Sequence, residues 1–183
     1  MGAITLGVGS GATRTGAPLR LFGRRIHHRQ WRSVERLVLF PQWNGGNIVS
    51  QTFSQLFRLG ALAGWKFIHT VADERAGYGA GYKAANFTPV RQWTSESFGD
   101  LRGTKYAALG VVHKVAYQAQ VARIDRGDKP TGQRTIIMRR IYMRTRERSF
   151  IGMLKKTKGR LLRLRQYEYV RVLDHRLNLP DQR

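Results

Sequence analysis

Residues 133–150, QRTIIMRRIYMRTRERSF, hold six arginines and one glutamate among three isoleucines, two methionines, a tyrosine and a phenylalanine. Guanidinium groups bind phosphate oxygens through paired, charge-assisted hydrogen bonds, so this density points to a polyanion. Arg140, Arg144 and Arg148 recur every four residues, and Arg139 and Arg146 lie seven apart. On a helix, like charges at four-residue spacing repel by roughly a few tenths of a kcal/mol per pair, and an RNA backbone reverses that sign. The candidate phosphate-binding cations are Arg134, Arg139, Arg140, Arg144, Arg146, Arg148, Lys155, Lys156, Lys158, Arg160, Arg163 and Arg165, joined by Arg24 and Arg25 near the N-terminus. From Arg134 to Arg183 there are 15 Lys and Arg against 4 Asp and Glu, and each phosphate neutralised would steepen the salt dependence of binding.

Other chemistries find less to work with. There is no cysteine, which removes disulfides, thiolate nucleophiles and cysteine-based zinc sites. The histidines are His27, His28, His69, His113 and His175, and no pair combines metal-helix spacing with a carboxylate. Asp73, Glu74, Asp125 and Asp128 read as helix-end and turn residues, and His113 as an interface residue on a helix. GVGSGATRTG lacks the Lys of a phosphate loop, and Leu6 occupies the position where a myristoylation signal needs Ser or Thr. The chain reads as a non-enzyme with no metal, cofactor or small-molecule substrate.

The formal net charge of +22 arises from 33 Lys and Arg against 11 Asp and Glu. Such self-repulsion is relieved by a polyanionic partner, nucleic acid before an anionic membrane. The first acidic residue is Glu35, and six arginines precede it in a Gly- and Ser/Thr-rich segment with the composition of an organellar transit sequence. Residues 1–34 are expected to form a basic arm that is retained even if it also targets. The most apolar stretch, 48–68, carries Arg58 and Lys66 and repeats large side chains at helical steps, which predicts a helix with one buried face and no transmembrane segment.

These cations need elements to hold them. The expected fold is mainly α. Residues 35–92 make an N-terminal extension with a short apolar run stopped by Pro41 and a turn at Asn44–Gly46, whose state is left open between helix and strand. An amphipathic helix over about 47–71 and a Gly-rich linker at 74–90 follow. Ser97-Phe98-Gly99-Asp100 has the form of a capping box, predicting a long helix from about 98 to 124. A polar turn at 125–132, with Gly127, Pro130 and Gly132, would join it to a second helix over about 133–157. The resulting antiparallel hairpin, about 97–157, has an expected seam of Leu101, Leu109, Val112 and Val115 against Ile136, Met143 and Phe150. Ile137, Met138, Ile141 and Tyr142 are left facing away from it. A basic C-terminal helix over 160–180 ends before Pro180, within a segment 158–183.

The region from Trp93 to about Arg148 resembles the universal large-subunit ribosomal protein numbered twenty-nine in its mitochondrial form. SFGDLRGTKYAAL resembles the family's S-F-x-D-L-x-x-x-x-Y-x-x-L at Ser97, Phe98, Asp100, Leu101, Tyr106 and Leu109. RRIYMRTR is similar to its R-R-x-x-x-R-x-[KR] at Arg139, Arg140, Arg144 and Arg146, and Trp93-Thr94 to the W-T before its first helix. Only Ser95 and Glu96 stand where members carry E-L-R-x-K, and Gly103 and Gly110 fall inside the expected first helix. The resemblance implies a helical hairpin (93–157) embedded in large-subunit rRNA near the peptide tunnel exit, beside the protein numbered twenty-three, in the ribosome of the mitochondrial matrix rather than a plastid. The function expected is that of a structural constituent of the mitochondrial ribosome. The alternative is an accessory subunit of an inner-membrane respiratory or ATP synthase complex, supported by the apolar helix at 47–71.

Overall fold

The computed structural model describes residues 2–8, 11–39, 47–129 and 131–179. Pro41, the turn at Asn44–Gly46, Pro130 and the stop at Pro180 lie outside them. The architecture is mixed α/β rather than mainly α. Among the described residues six strands hydrogen-bond in the order β1-β2-β3-β6-β4-β5: β1 (Gly2–Gly7), β2 (Trp31–Leu39), β3 (Phe67–Asp73), β4 (Thr88–Asp100), β5 (Val111–His113) and β6 (Arg160–Val172). The helices are α1 (Gly11–Phe22), α2 (Ile48–Leu62), α3 (Ala80–Ala84), α4 (Lys114–Asp125), α5 (Gln133–Thr145) and α6 (Phe150–Thr157). The chain divides into two compact units, Met1–Trp93 with Gln166–Arg183, and Thr94–Arg165.

In the first unit β1 pairs antiparallel with β2, β2 runs parallel to β3 from Trp31↔Phe67 to Val34↔Thr70, and β3 pairs antiparallel with β6 from Phe67↔Val172 to Asp73↔Gln166. The parallel pair requires a crossover, and the amphipathic helix α2 lies within that connection. Alternate residues of β3 enter different cores. Phe67 packs with Ala17, Leu21, Ile26, Trp31, Val170 and Leu177, whereas Ile68 and Ala72 pack with Val34, Phe53, Ala85, Phe87 and Tyr169. Both faces of β3 are covered from Phe67 to Thr70, which is why FIHT shows little polar alternation, and Val71 is exposed. The expected basic arm is therefore built into this unit, with Ala17 and Leu21 of α1 buried. The helix expected over 47–71 ends as α2 at Leu62, and β-branched and aromatic residues then form β3. The expected linker at 74–90 contains a 3-10 turn (Glu74–Gly79), α3 and the start of β4.

In the second unit the expected long hairpin does not form. Ser97–Asp100 is the end of β4 and pairs with β5 from Phe98↔His113 to Asp100↔Val111. Gly99 permits this: a Cβ there would lie 2.5 Å from a Leu154 methyl. Asp100 caps no helix; its Oδ1 accepts from the Arg102 amide at 3.0 Å. Residues 101–110 are a loop, and the helix begins only at Lys114, where His113 Nδ1 accepts from the Val115 amide at 3.1 Å. His113 is thus a cap.

The second expected helix is two. α5 ends at Thr145, Arg146 is left-handed at φ 54°, and α6 restarts after Ser149, whose hydroxyl accepts from the Gly152 amide at 3.4 Å. The core joins Leu101, Leu109 and Val112 to Tyr117 and Val121 of α4, Met138, Ile141 and Tyr142 of α5, and Phe150, Met153 and Leu154 of α6. Of the residues expected in the seam, Leu101, Leu109, Val112 and Phe150 are buried, but not in a two-helix hairpin. Val115 and Met143 are 62% and 43% exposed and Ile136 is half-buried. The face of α5 expected to point away is the buried one, because the partners of α5 come from α4, α6 and the 101–113 segment rather than from one long helix. The expected C-terminal helix over 160–180 is corrected to β6 through Val172.

Candidate nucleic-acid interface

The cations sort by what already holds them. Arg134 donates to the Val111 carbonyl at 2.8 Å, Arg148 pairs with Asp125 at 3.1 Å, and Lys156 with Glu147 at 2.8 Å. Arg163 pairs with Glu96 at 2.7 Å, and Arg160 lies 3.8 Å from Asp100. Arg146 leans on the Met143 sulfur at 3.5 Å. Among the described residues, Arg139, Arg140, Arg144, Lys155, Lys158 and Arg165 have no acidic partner, and all but the half-buried Arg139 are exposed. Arg24 and Arg25 are also exposed, but they belong to the first unit.

Two open grooves of the second unit collect part of the unpaired charge, Arg140 and Arg144 in one and Lys158 in the other. The first, about 420 Å³, is lined by Gln133, Ile137, Arg140 and Arg144 on one side and by Lys105, Tyr106 and Ala108 on the other. The α5 residues stand at steps of four, three and four, so they share one helical face. The second groove, about 330 Å³, is lined by Gly103, Thr104, Lys105, Lys156, Thr157 and Lys158. Lys105 borders both.

The loop carrying Lys105 and Tyr106 is tied at both ends. The Leu101 amide donates to the Gly110 carbonyl at 3.0 Å, and the Gly110 amide to Ala107 at 2.9 Å. Gly110 closes the loop at φ 58°, where a side chain would be strained. Inside it, the Thr104 hydroxyl donates to the Leu101 carbonyl at 2.9 Å and accepts from the Tyr106 amide at 3.0 Å. Leu101 and Leu109 anchor it in the core. Asp100 at its base is held far below the usual carboxylate range, chiefly by the Arg102 side chain, whose Nε and Nη2 donate at 2.9 and 2.8 Å. Tyr106 packs partly on the core, with the Lys105 ammonium 5.2 Å from its ring centre.

No family model matches the chain, and no curated protein matches it.

The first unit contains a different polar cluster. Glu168 is buried and its Oε1 meets His69 Nε2 at 2.7 Å and the Arg20 guanidinium, with Arg91 Nε 3.4 Å from Oε2. Burial alone would raise this carboxyl; the His69 hydrogen bond and charge, with Arg20 and Arg91, hold it below its ordinary value. Its charge is compensated on three sides, which suits a structural role under α1. Among the described residues no group of His, Asp and Glu could hold a metal ion, and no helix is long and apolar enough to cross a membrane.

Sequence reasoning identifies Arg140 and Arg144 but not Lys105, and it reaches Tyr106 only through the family pattern. The available signal is GTKYAALG itself: a basic-aromatic pair held between two glycines is a poor helix segment and a good loop.

Proposed function

We propose that this chain is a non-catalytic, RNA-bound structural constituent of a large ribonucleoprotein, the large subunit of a mitochondrial ribosome in the matrix. The observation that supports this reading is the set of exposed cations with no acidic partner, Lys105, Arg140, Arg144 and Lys158, gathered along two grooves of one unit. Acids elsewhere in that unit are consumed by Arg148, Lys156 and Arg163, so the excess is a surplus rather than a salt-bridge network. Left in water these charges repel one another. Phosphate oxygens relieve the repulsion and accept the guanidinium donors. The address beside the tunnel exit and protein twenty-three is implied for a helical hairpin that this chain does not form, and it is no part of the proposal.

The test is sedimentation of mitochondrial lysate carrying the tagged protein, in magnesium buffer and then with EDTA, beside large-subunit and inner-membrane markers. Comigration with the large subunit, shifting when RNase digests the particle, is the expected outcome. Comigration with a detergent-solubilised membrane complex, indifferent to EDTA and RNase, overturns the proposal in favour of an accessory subunit of that complex.

A further inference from the structure

The groove between α5 and the 101–110 loop is chemically two-sided. Arg140 and Arg144 supply phosphate donors along one helical face, while Ile137, Ala108 and Tyr106 add apolar and aromatic residues to the lining. Its volume of about 420 Å³ is within the range of about 300–1,000 Å³ in which small-molecule sites fall. A duplex presents only backbone and groove edges to such a recess, because its bases are stacked inside. An unpaired nucleotide presents both a phosphate and a base face at once.

Resting on the RNA-bound reading above, we infer that this groove is a single-stranded RNA site in which one unstacked base lies against Tyr106 and its flanking phosphates are held by Arg140 and Arg144. Lys105 borders this groove and the next, where Lys158 stands without an acidic partner, so the strand has a cationic path onward from the seated nucleotide. The bonds from the Leu101 amide to the Gly110 carbonyl and from the Tyr106 amide to the Thr104 hydroxyl fix the backbone that carries the aromatic ring before any ligand arrives, which lowers the ordering cost of binding. Gln133, at the far end of the α5 wall, offers an amide that can both donate to and accept from a base edge.

The experiment uses the purified full chain and three labelled probes: a short single-stranded oligoribonucleotide, a duplex RNA of the same length, and inorganic polyphosphate. The single strand is expected to bind tightest. Tyr106→Leu keeps an apolar side chain on the core but removes the π face, and should weaken the single strand by about tenfold or more while leaving polyphosphate unchanged. Tyr106→Phe should bind like the parent. Arg140→Gln with Arg144→Gln should weaken all three probes and reduce the salt slope by roughly one for each phosphate no longer held. Thermal unfolding of each variant separates failure to fold from failure to bind.

A single strand indifferent to Tyr106→Leu, still weakened by the arginine variant, would overturn the base site and leave the RNA-bound reading standing. Preference for the duplex would do the same. Failure of all three probes to bind would sink both.

Discussion

At the scale of single residues, the second unit uses a carboxylate where the sequence suggests a helix cap. Asp100 sits at the end of β4 and binds the backbone and the side chain of Arg102, two residues on, turning the chain into the loop that carries Lys105 and Tyr106. Its folded-state pKa is depressed, so its contribution is fully present above the ordinary carboxylate range near about 4 and is lost as pH falls through that range and below it. Asp100→Asn should therefore destabilise the protein at neutral pH, and the difference from the parent should shrink as the solution is acidified. Denaturant melts at a series of pH values read this directly; a constant difference down to strongly acid pH would remove the ionic role. Glu168 shows a related economy in the first unit, where one buried carboxylate is shared by His69, Arg20 and Arg91.

At the scale of elements, the sequence is legible where one periodicity runs unopposed. The steps of three and four through Val49, Phe53, Leu56 and Phe57 do correspond to the packed face of α2, centred on buried Phe53, and the polar segment after Asp125 does separate α4 from α5, with Gly127 and Gly132 at φ 83° and 84°. It misleads where two periods compete. In RLLRLRQYEYVRV the arginines recur close to helical spacing, yet exposed Arg163 and Arg165 flank buried Leu164, and aromatic and β-branched residues follow, which is the two-residue period of a strand. In α5 a seven-residue spacing through Ile136 and Met143 masks the 138, 141, 142 and 145 positions that the core takes. Single truncations separate the two faces. Met138→Ala should cost about 2–5 kcal/mol, as a fully buried methionine does. Met143→Ala should stay within about 0.5 kcal/mol, as exposed sites do. Equal costs by equilibrium unfolding would restore the seven-residue seam. The candidate groove is half legible for the same reason: its α5 wall is a helical face, whereas its other wall is a loop fixed by hydrogen bonds that no periodicity announces.

For the whole molecule, the two units are nested in sequence. The second occupies Thr94–Arg165, and the first resumes at Gln166. β3 therefore depends on a strand segment that follows the whole second unit, with seven residue pairs from Phe67↔Val172 to Asp73↔Gln166 and with Tyr169 and Val170 in its two cores. A chain ended after Arg165 should lose hydrogen-exchange protection across β3 while the Leu101–Leu154 core of the second unit remains protected. Protected β3 amides in that truncated chain would contradict the nesting.

That pairing also has a temporal side. His69 and Glu168, bonded to each other, are 99 positions apart, so the chain must be made beyond Glu168 before the first unit can close. Domains generally fold as units while the polypeptide emerges N-terminus first, and contacts between distant residues form slowly. The second unit is whole once residue 165 is free, with the first still lacking a strand. Synthesis completes the two units in the reverse of the order in which it begins them.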